Sequence, residues 1–202
     1  MIVSRRVLRT CSNRLAAGIL SVLLGMQAAR AADVVQLGVT HEQANYRLTL
    51  VMDLTMPADR VRALITDYAH LRRLNPAILE SQVLARSGNI TRVRTLVRGC
   101  IAFFCFTVKQ VQDVEQRPDG EIVARTIPAL SDFRYGLAHW RVVPDGRQAS
   151  RLYFDVDVVP SFWVPPLIGP WIIRYKMRQE ALQTAANLER MEGTAHAALA
   201  TP

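Results

Sequence analysis

The sequence predicts an α+β domain in which an antiparallel sheet of about seven strands packs against one long C-terminal helix. Apolar residues alternate strictly over residues 46–56, as in a half-buried strand. Turn-forming clusters at 87–89, 117–120 and 144–147 separate further strand-like runs by short connections, which favours antiparallel neighbours. Residues 170–191 show the apolar spacing of a helix.

The first 31 residues are typical of an export signal. Residues 1–14 carry four arginines and no acid, the apolar run 15–26 is 12 residues long, and Ala29-Arg30-Ala31 supplies a small-x-small site. A membrane-spanning helix needs roughly 18 apolar residues, so this run is too short to span. We expect residues 1–31 to be a signal peptide cleaved after Ala31. The mature protein is then periplasmic or, as the alternative, secreted.

The charge of the chain argues against a nucleic-acid partner once the signal is removed. The 202 residues include 25 Lys and Arg against 17 Asp and Glu, a net charge of +8. Five of those arginines lie in residues 1–31, so 20 basic and 17 acidic residues remain, a net of +3. No basic helix or zinc-finger pattern follows. Half of the residues are hydrophobic, which permits one packed domain.

Residues 32–76 are predicted to form a leader, one strand and two short helical segments. Residues 32–45 are polar without periodicity and are expected to form a leader. A strand over 46–56 begins the domain, which extends over residues 46–192. Pro57 is well placed to open a helix that runs to about Tyr68, and a second short helical turn ends at Asn75-Pro76.

Six strands and the final helix complete the domain. The strands begin at Ile78 and continue as 90–99, 104–116, 121–127, 133–143 and 150–159. The buried stripe of the helix over 170–191 is predicted to include Trp171, Ile172, Tyr175, Leu182, Ala185 and Leu188. Residues 193–202 are expected to form a flexible tail.

Cys100 and Cys105 are the cysteines of the mature chain, since Cys11 is removed with the signal. Export places them in an oxidising compartment, where pairing is favoured. In one continuous strand they would lie roughly 16 Å apart, beyond the limit of about 7 Å between the Cα atoms of a disulfide. We therefore predict a hairpin loop between them with a Cys100–Cys105 disulfide at its base; the alternative is two buried free thiols. The spacing predicts no metal site and no redox-active pair.

Three stretches of the domain resemble the START/polyketide-cyclase superfamily, also called SRPBCC or helix-grip proteins. They are Met-Pro-Ala-Asp-Arg-Val at 56–61 with Asp67-Tyr68 and Leu74-Asn75-Pro76, Phe-Arg-Tyr-Gly-Leu-Ala-His-Trp at 133–140, and Pro-Ser-Phe-Trp-Val-Pro-Pro at 160–166. The cyclase/dehydrase and coenzyme Q-binding START-type group is the most similar branch, although those relatives are chiefly intracellular or mitochondrial. The resemblance implies a curved sheet wrapped around the C-terminal helix, with a deep apolar cavity between them.

The resemblance further implies that the exported domain binds or carries a hydrophobic small molecule, such as a lipid, an isoprenoid or a quinone-like compound. A cyclase/dehydrase-type enzyme acting in the same cavity is the alternative. A third hypothesis is an interaction module with a filled core. No cofactor is expected, and the oligomeric state is not predicted.

The residues expected to line or rim the cavity are Phe133, Tyr135, His139, Trp163, Trp171 and Tyr175. The enzymatic alternative would need an acid/base group in the cavity, and His139 and Arg94 are the candidates. The sequence contains no motif of a known catalytic site. Apolar residues of the hairpin tip and of the following loop are expected to contact either each other or, transiently, a membrane surface. These residues are Ile101, Phe103, Phe104, Phe162 and Leu167.

Overall fold

A computed structural model describes residues 33–101 and 104–199, and it has the α+β architecture that the sequence predicts. The predicted signal peptide over 1–31 lies outside the described residues. Two short 3-10 turns occur at Leu71–Arg73 and Pro128–Leu130. The other elements are β1 Asp33–Glu42, β2 Asn45–Leu54, α1 Ala58–Ile65, β3 Ile78–Ser87, β4 Ile90–Ile101, β5 Phe104–Gln116, β6 Ile122–Thr126, β7 Phe133–Asp145, β8 Ala149–Pro160 and α2 Gly169–Leu199.

The strands form one antiparallel sheet in the order β1-β2-β8-β7-β6-β5-β4-β3. After the β1–β2 hairpin, the chain crosses to the far edge through α1 and returns as a six-stranded meander until β8 pairs with β2. The sheet curves without closing and holds α2 on its concave side. This is the predicted helix-grip arrangement, with eight strands in place of about seven.

The additional strand is β1, so the expectation of an unstructured polar leader over 32–45 is wrong for most of that segment. Val34, Leu37 and Val39 pack against the core, whereas Val35 is exposed. The register between β1 and β2 shifts between Val34 and Gln36. Because a bulge inserts one residue, it breaks the two-residue alternation that would have identified the strand.

The two short helical segments after the first predicted strand are confirmed. Helix α1 follows Pro57, whose carbonyl accepts hydrogen bonds from the N–H groups of Arg60 and Val61. Val61 is fully buried, and Arg62 donates from Nη2 to the backbone carbonyl of Val142 at 2.7 Å. These contacts fix α1 against β7.

Helix α2 packs mainly against β1 and β2. Its buried residues Ala181, Ala185 and Leu188 join a core cluster that contains Leu50 and Met52 of β2. Burying one leucine stabilises the fold by roughly 1.5–3 kcal/mol, and the small alanine side chains allow the helix to approach the sheet closely.

The helix is longer than predicted, because it continues to Leu199 through most of the expected tail at 193–202. Alanine has the highest helix propensity, and residues 195, 197 and 198 are alanines. Among the described residues, no helix combines the length and apolar character that crossing a bilayer requires.

The convex face of the sheet carries ion pairs between residues that lie directly opposite each other. Arg47 pairs with Asp157 on β2 and β8, and Arg92 pairs with Asp113 on β4 and β5. The hydrogen bond from Arg92 holds the pKa of Asp113 below its ordinary value. Each exposed pair stabilises the fold only slightly, but a one-residue slip would separate them all. The pairs therefore support the register that places the apolar residues on the concave face.

Gly136 on β7 lies where a larger side chain would collide with the neighbouring strand. A Cβ atom at this position would lie 2.1 Å from Oγ1 and 3.0 Å from Cβ of Thr126 on β6. Gln110 of β5 donates to the same Thr126 hydroxyl at 3.1 Å. The inner face at this end of the sheet is thus already filled.

We expect Gly136→Ala to destabilise the protein by about 1–3 kcal/mol, the range for overpacking an interior. The control is Gly38→Ala, whose added Cβ would have no atom within 4 Å and should change the stability by less than about 0.5 kcal/mol. Urea unfolding followed by circular dichroism measures both. Equal stability of the two variants would contradict the close approach.

Candidate functional site: an apolar cavity beneath the last helix

A cavity of about 490 Å³ lies between α2 and the concave face of the sheet. Because α2 packs mainly against β1 and β2, it leaves the inner faces of β4, β5 and β6 partly uncovered, and Ile65, Tyr68 and Leu71 cover only part of them. The closed end of the cavity is formed by buried apolar residues from four strands: Leu50, Met52, Val93, Ile122 and Leu152. The volume falls in the range of about 300–1,000 Å³ that is typical of small-molecule sites.

The cavity opens toward solvent at the end nearest the start of α2. Arg98 of β4, Phe106 of β5 and Phe162 of the loop before α2 all line the cavity and are all exposed. Ile172 and Ile173, in the first turn of α2, form the facing wall. We call this end the mouth.

Phe162 lies across the mouth between two strands. Its ring centroid is 6.4 Å from that of Phe106 and 6.3 Å from that of Phe133, which are distances for aromatic packing. The backbone N–H of the preceding residue, Ser161, donates to the carbonyl of Asp132 at 3.0 Å and anchors the loop to the start of β7. Phe162 therefore narrows the entrance, in keeping with its predicted place at the rim.

A few polar groups interrupt the apolar wall. Thr95 and Gln112 line the inner faces of β4 and β5, and Asn75 donates to the hydroxyl of Thr184 on α2 at 3.2 Å. The hydroxyl of Tyr68 accepts a hydrogen bond from Gln116, and burial raises its pKa, which keeps this phenol neutral. The wall can thus offer hydrogen bonds at several points around an apolar ligand.

The predicted ligand residues of β7 are divided between the two faces of the strand. Phe133 lines the cavity, but Tyr135 and His139 do not. The register with β8 shifts between Phe133 and Tyr135, so the residues that face inward after the shift are Gly136, Ala138 and Trp140. The expectation that His139 points inward with Phe133 is therefore wrong, because the irregularity reverses the alternation.

Both candidates for acid/base chemistry lie on the convex face of the sheet. The ring Nδ1 of His139 is 3.0 Å from Oε1 of Glu121, and this hydrogen bond, with a further one from Arg117, lowers the pKa of Glu121. Arg94 forms an ion pair with Glu80 of the edge strand β3. The sheet separates both side chains from the cavity.

The predicted aromatic residues around the start of α2 are exposed and do not line the cavity. Trp171 and Tyr175 lie one helical turn apart with their rings stacked at 5.8 Å, and they are 67% and 50% exposed. The expectation that they belong to the buried stripe is wrong, because Ile172, Ile173 and Met177 occupy the inward face. Trp163 and Leu167 are 78% and 94% exposed.

The predicted disulfide between Cys100 and Cys105 is confirmed. The two residues are directly opposite each other at the end of the β4–β5 hairpin, with Cα atoms 4.0 Å apart. Phe103 and the side chains of Ile101 and Phe104, which were expected to form an apolar tip, lie outside the described residues. The disulfide ties the hairpin together beside Gly99 and Phe106 of the mouth.

Two charged residues of α2 that line the cavity were not predicted from the sequence, and neither was Arg98 at the mouth. Lys176 and Glu180 lie one turn apart on the face of α2 that lines the cavity, together with Met177 and Ala181. Their spacing from Ile173 and Thr184 matches one helical face, but a helix with apolar residues on several sides does not reveal which face is inward. Within the described ranges, no group of His, Cys, Asp or Glu could hold a metal ion.

Residues 46–191 match the family described as polyketide cyclase / dehydrase and lipid transport. The match covers almost all of the sheet and the greater part of α2. No curated protein is similar to the chain at a significant level.

Solved structures with the same fold include proteins with different printed descriptions. The Zhui aromatase/cyclase from a Streptomyces species has a TM-score of 0.62 at 13% identity, over 73% of this chain and 93% of that chain. A STAR-related lipid transfer protein from Xanthomonas axonopodis has a TM-score of 0.60 at 14% identity, over 80% of this chain and 98% of that chain. A protein from Thermus thermophilus has a TM-score of 0.60 at 18% identity, over 74% of this chain and 98% of that chain. At these identities the similarity establishes the fold alone.

We expect the disulfide to be fully formed in the isolated protein and to stabilise it by about 2 kcal/mol, as estimated for a short closed loop. Thiol titration of the denatured, unreduced protein without its signal should find no free cysteine. The double variant Cys100→Ser/Cys105→Ser should unfold at lower urea concentration. Two free thiols per chain would contradict the pairing.

Proposed function

Because the chain belongs to the polyketide cyclase/dehydrase and lipid transport family, we propose that it binds and carries a hydrophobic small molecule in the cavity beneath α2. Lipids, isoprenoids and quinone-like compounds are the classes of ligand that fit an apolar interior of this kind. The observation that carries the proposal is the cavity itself. A fold of this size could have filled its interior with side chains, yet about 490 Å³ lies open to solvent at the mouth.

We further propose that the protein acts after export, in the periplasm. The support is the N-terminal sequence, in which basic, apolar and small-residue segments follow one another in the order of a signal peptide. The disulfide agrees with this location, because structural disulfides persist in oxidising compartments.

The two acid/base candidates that the sequence offers for the cyclase/dehydrase alternative lie outside the cavity, which favours carriage over a reaction that uses them. Proton transfer to a bound substrate requires a side chain within hydrogen-bond reach of it. His139 and Arg94, the candidates that the sequence offered, lie on the convex face and pair there with Glu121 and Glu80. The similarity to an aromatase/cyclase is one of fold.

We also propose that the protein docks transiently on an anionic membrane beside the mouth. The exposed residues at the start of α2 form an apolar patch: Trp163, Leu167, Ile168, Trp171 and Tyr175. Arg174 and Arg178 are exposed on the same side of the helix, and residues 169–179 contain no acid. Aromatic and basic residues on one exposed helix face suit an interface with anionic lipids.

The proposed carriage predicts that an apolar molecule accompanies the protein from the periplasm. Native mass spectrometry followed by organic extraction should detect a bound species in the wild type. Val108→Trp places a large ring in the cavity, so this variant should retain less of the species. Thr107→Trp adds the same ring at the neighbouring exposed position and should retain it fully. An empty wild-type protein would contradict carriage.

Membrane docking predicts cosedimentation with vesicles of phosphatidylcholine and phosphatidylglycerol, and weaker cosedimentation with phosphatidylcholine alone. Leu167→Asp should reduce binding several-fold, because it places a negative charge in the apolar patch. Tyr153→Ala removes an exposed aromatic ring from the convex face and should leave binding unchanged. Equal binding of the wild type and Leu167→Asp would exclude the patch as the docking surface.

A further inference from the structure

The charges of the cavity wall point to the kind of ligand that the cavity takes. Within the described residues, the charged residues that border it are Arg98, Lys176 and Glu180. Arg98 lies directly opposite Thr107, on the side of the β4–β5 pair that faces away from the interior, and is exposed at the edge of the mouth, so Lys176 of α2 is the cation of the cavity wall. No side-chain hydrogen bond or ion pair joins any of the three to another described residue.

Several arginines of the described residues form an ion pair with a carboxylate, whereas Lys176 has no such partner among those residues. Arg92, Arg117 and Arg151, for example, each form an ion pair with a carboxylate on the convex face. Lys176 instead lies half-buried among Ile172, Ile173 and Met177. A charge that is partly removed from water without a partner is costly, and a bound anion would offset that cost.

The depth of each charge along α2 indicates how a ligand would be oriented. The helix runs from the mouth at Ile172 to the closed end at Leu188, which is 1% exposed. Lys176 is about one turn from Ile172, and Glu180 lies four residues, or about 6 Å, deeper. Lys176 therefore lies nearer the mouth, whereas the interior beyond Glu180 is largely apolar.

We infer that the cavity selects amphiphiles with a single anionic head group, a carboxylate or a phosphate, held near the mouth by Lys176 with the apolar tail directed inward. This inference rests on the proposed carriage and specifies its ligand class. Glu180 lies one helical turn deeper than Lys176, and its negative charge disfavours a second anionic group in the interior. Removing this charge is therefore expected to strengthen the binding of an anion.

The experiment compares three probes that share one tail: dodecanoate, 1-dodecanol and dodecylamine. Each displaces a neutral fluorescent probe from delipidated protein at pH 8, at concentrations below its limit of solubility or aggregation. We expect dodecanoate to bind at least tenfold more tightly than 1-dodecanol, the effect of one charge-assisted contact. Added salt should reduce this preference.

Substitutions then locate the selectivity. Lys176→Met should remove most of the preference for dodecanoate and leave 1-dodecanol binding unchanged. Glu180→Gln should tighten dodecanoate binding, because it removes a like charge. Arg147→Met takes one cation from the exposed turn between β7 and β8, and it should alter neither affinity. If Lys176→Met fails to fold, the relative affinities of the wild type for the three probes, and their dependence on salt, still test the preference for an anionic head group.

Each alternative outcome has a distinct meaning. Equal affinity for all three probes would overturn the head-group inference while leaving apolar carriage intact. Tightest binding of dodecylamine, weakened by Glu180→Gln, would overturn it in favour of a cationic ligand. Binding of none of the three would count against the proposed carriage itself.

Discussion

The contact between α2 and the β1–β2 hairpin governs the interior of this protein. Ala181 and Ala185 bring the helix close to the sheet, and Leu188 completes the shared core at its far end. Asn187 of the helix donates to the carbonyl of Leu74 at 2.8 Å and secures the opposite side. One helix cannot cover eight curved strands. Space therefore remains over β4, β5 and β6, and that space is the cavity.

The two faces of the sheet have different chemistry, and the proposed function rests on this difference. The convex face carries paired charges such as Arg47 with Asp157, which are satisfied and solvated. The concave face carries apolar residues and a few polar groups without charged partners. The cavity wall consequently combines an apolar surface with a few polar groups and the charged residues Lys176 and Glu180.

Sequence reasoning succeeded where one local rule determined the structure. The turn clusters delimited the strands of the meander to within about two residues at most ends, because Gly88, Gly120 and Gly146 adopt the positive φ that these turns require. The disulfide was predicted because only a chain reversal can bring Cys100 and Cys105 together.

The site was harder to predict. Phe133 and Phe162 lie where a ligand would contact them, but Tyr135 and His139 do not.

The sequence by itself determined the order of elements, the hairpin with its disulfide and the resemblance to the helix-grip fold, since these depend on neighbours along the chain. The tertiary structure decided which side chains face the cavity. Register shifts near Val34 and Phe133 reverse the inward–outward alternation of side chains along β1 and β7. No local sequence pattern predicts these shifts. Packing against the sheet likewise determines which face of α2 points inward, so that Lys176 lines the cavity and Trp171 is exposed to solvent. The direction in which a side chain points depends on packing between segments that are distant in the chain, and the local pattern of residues does not contain that information.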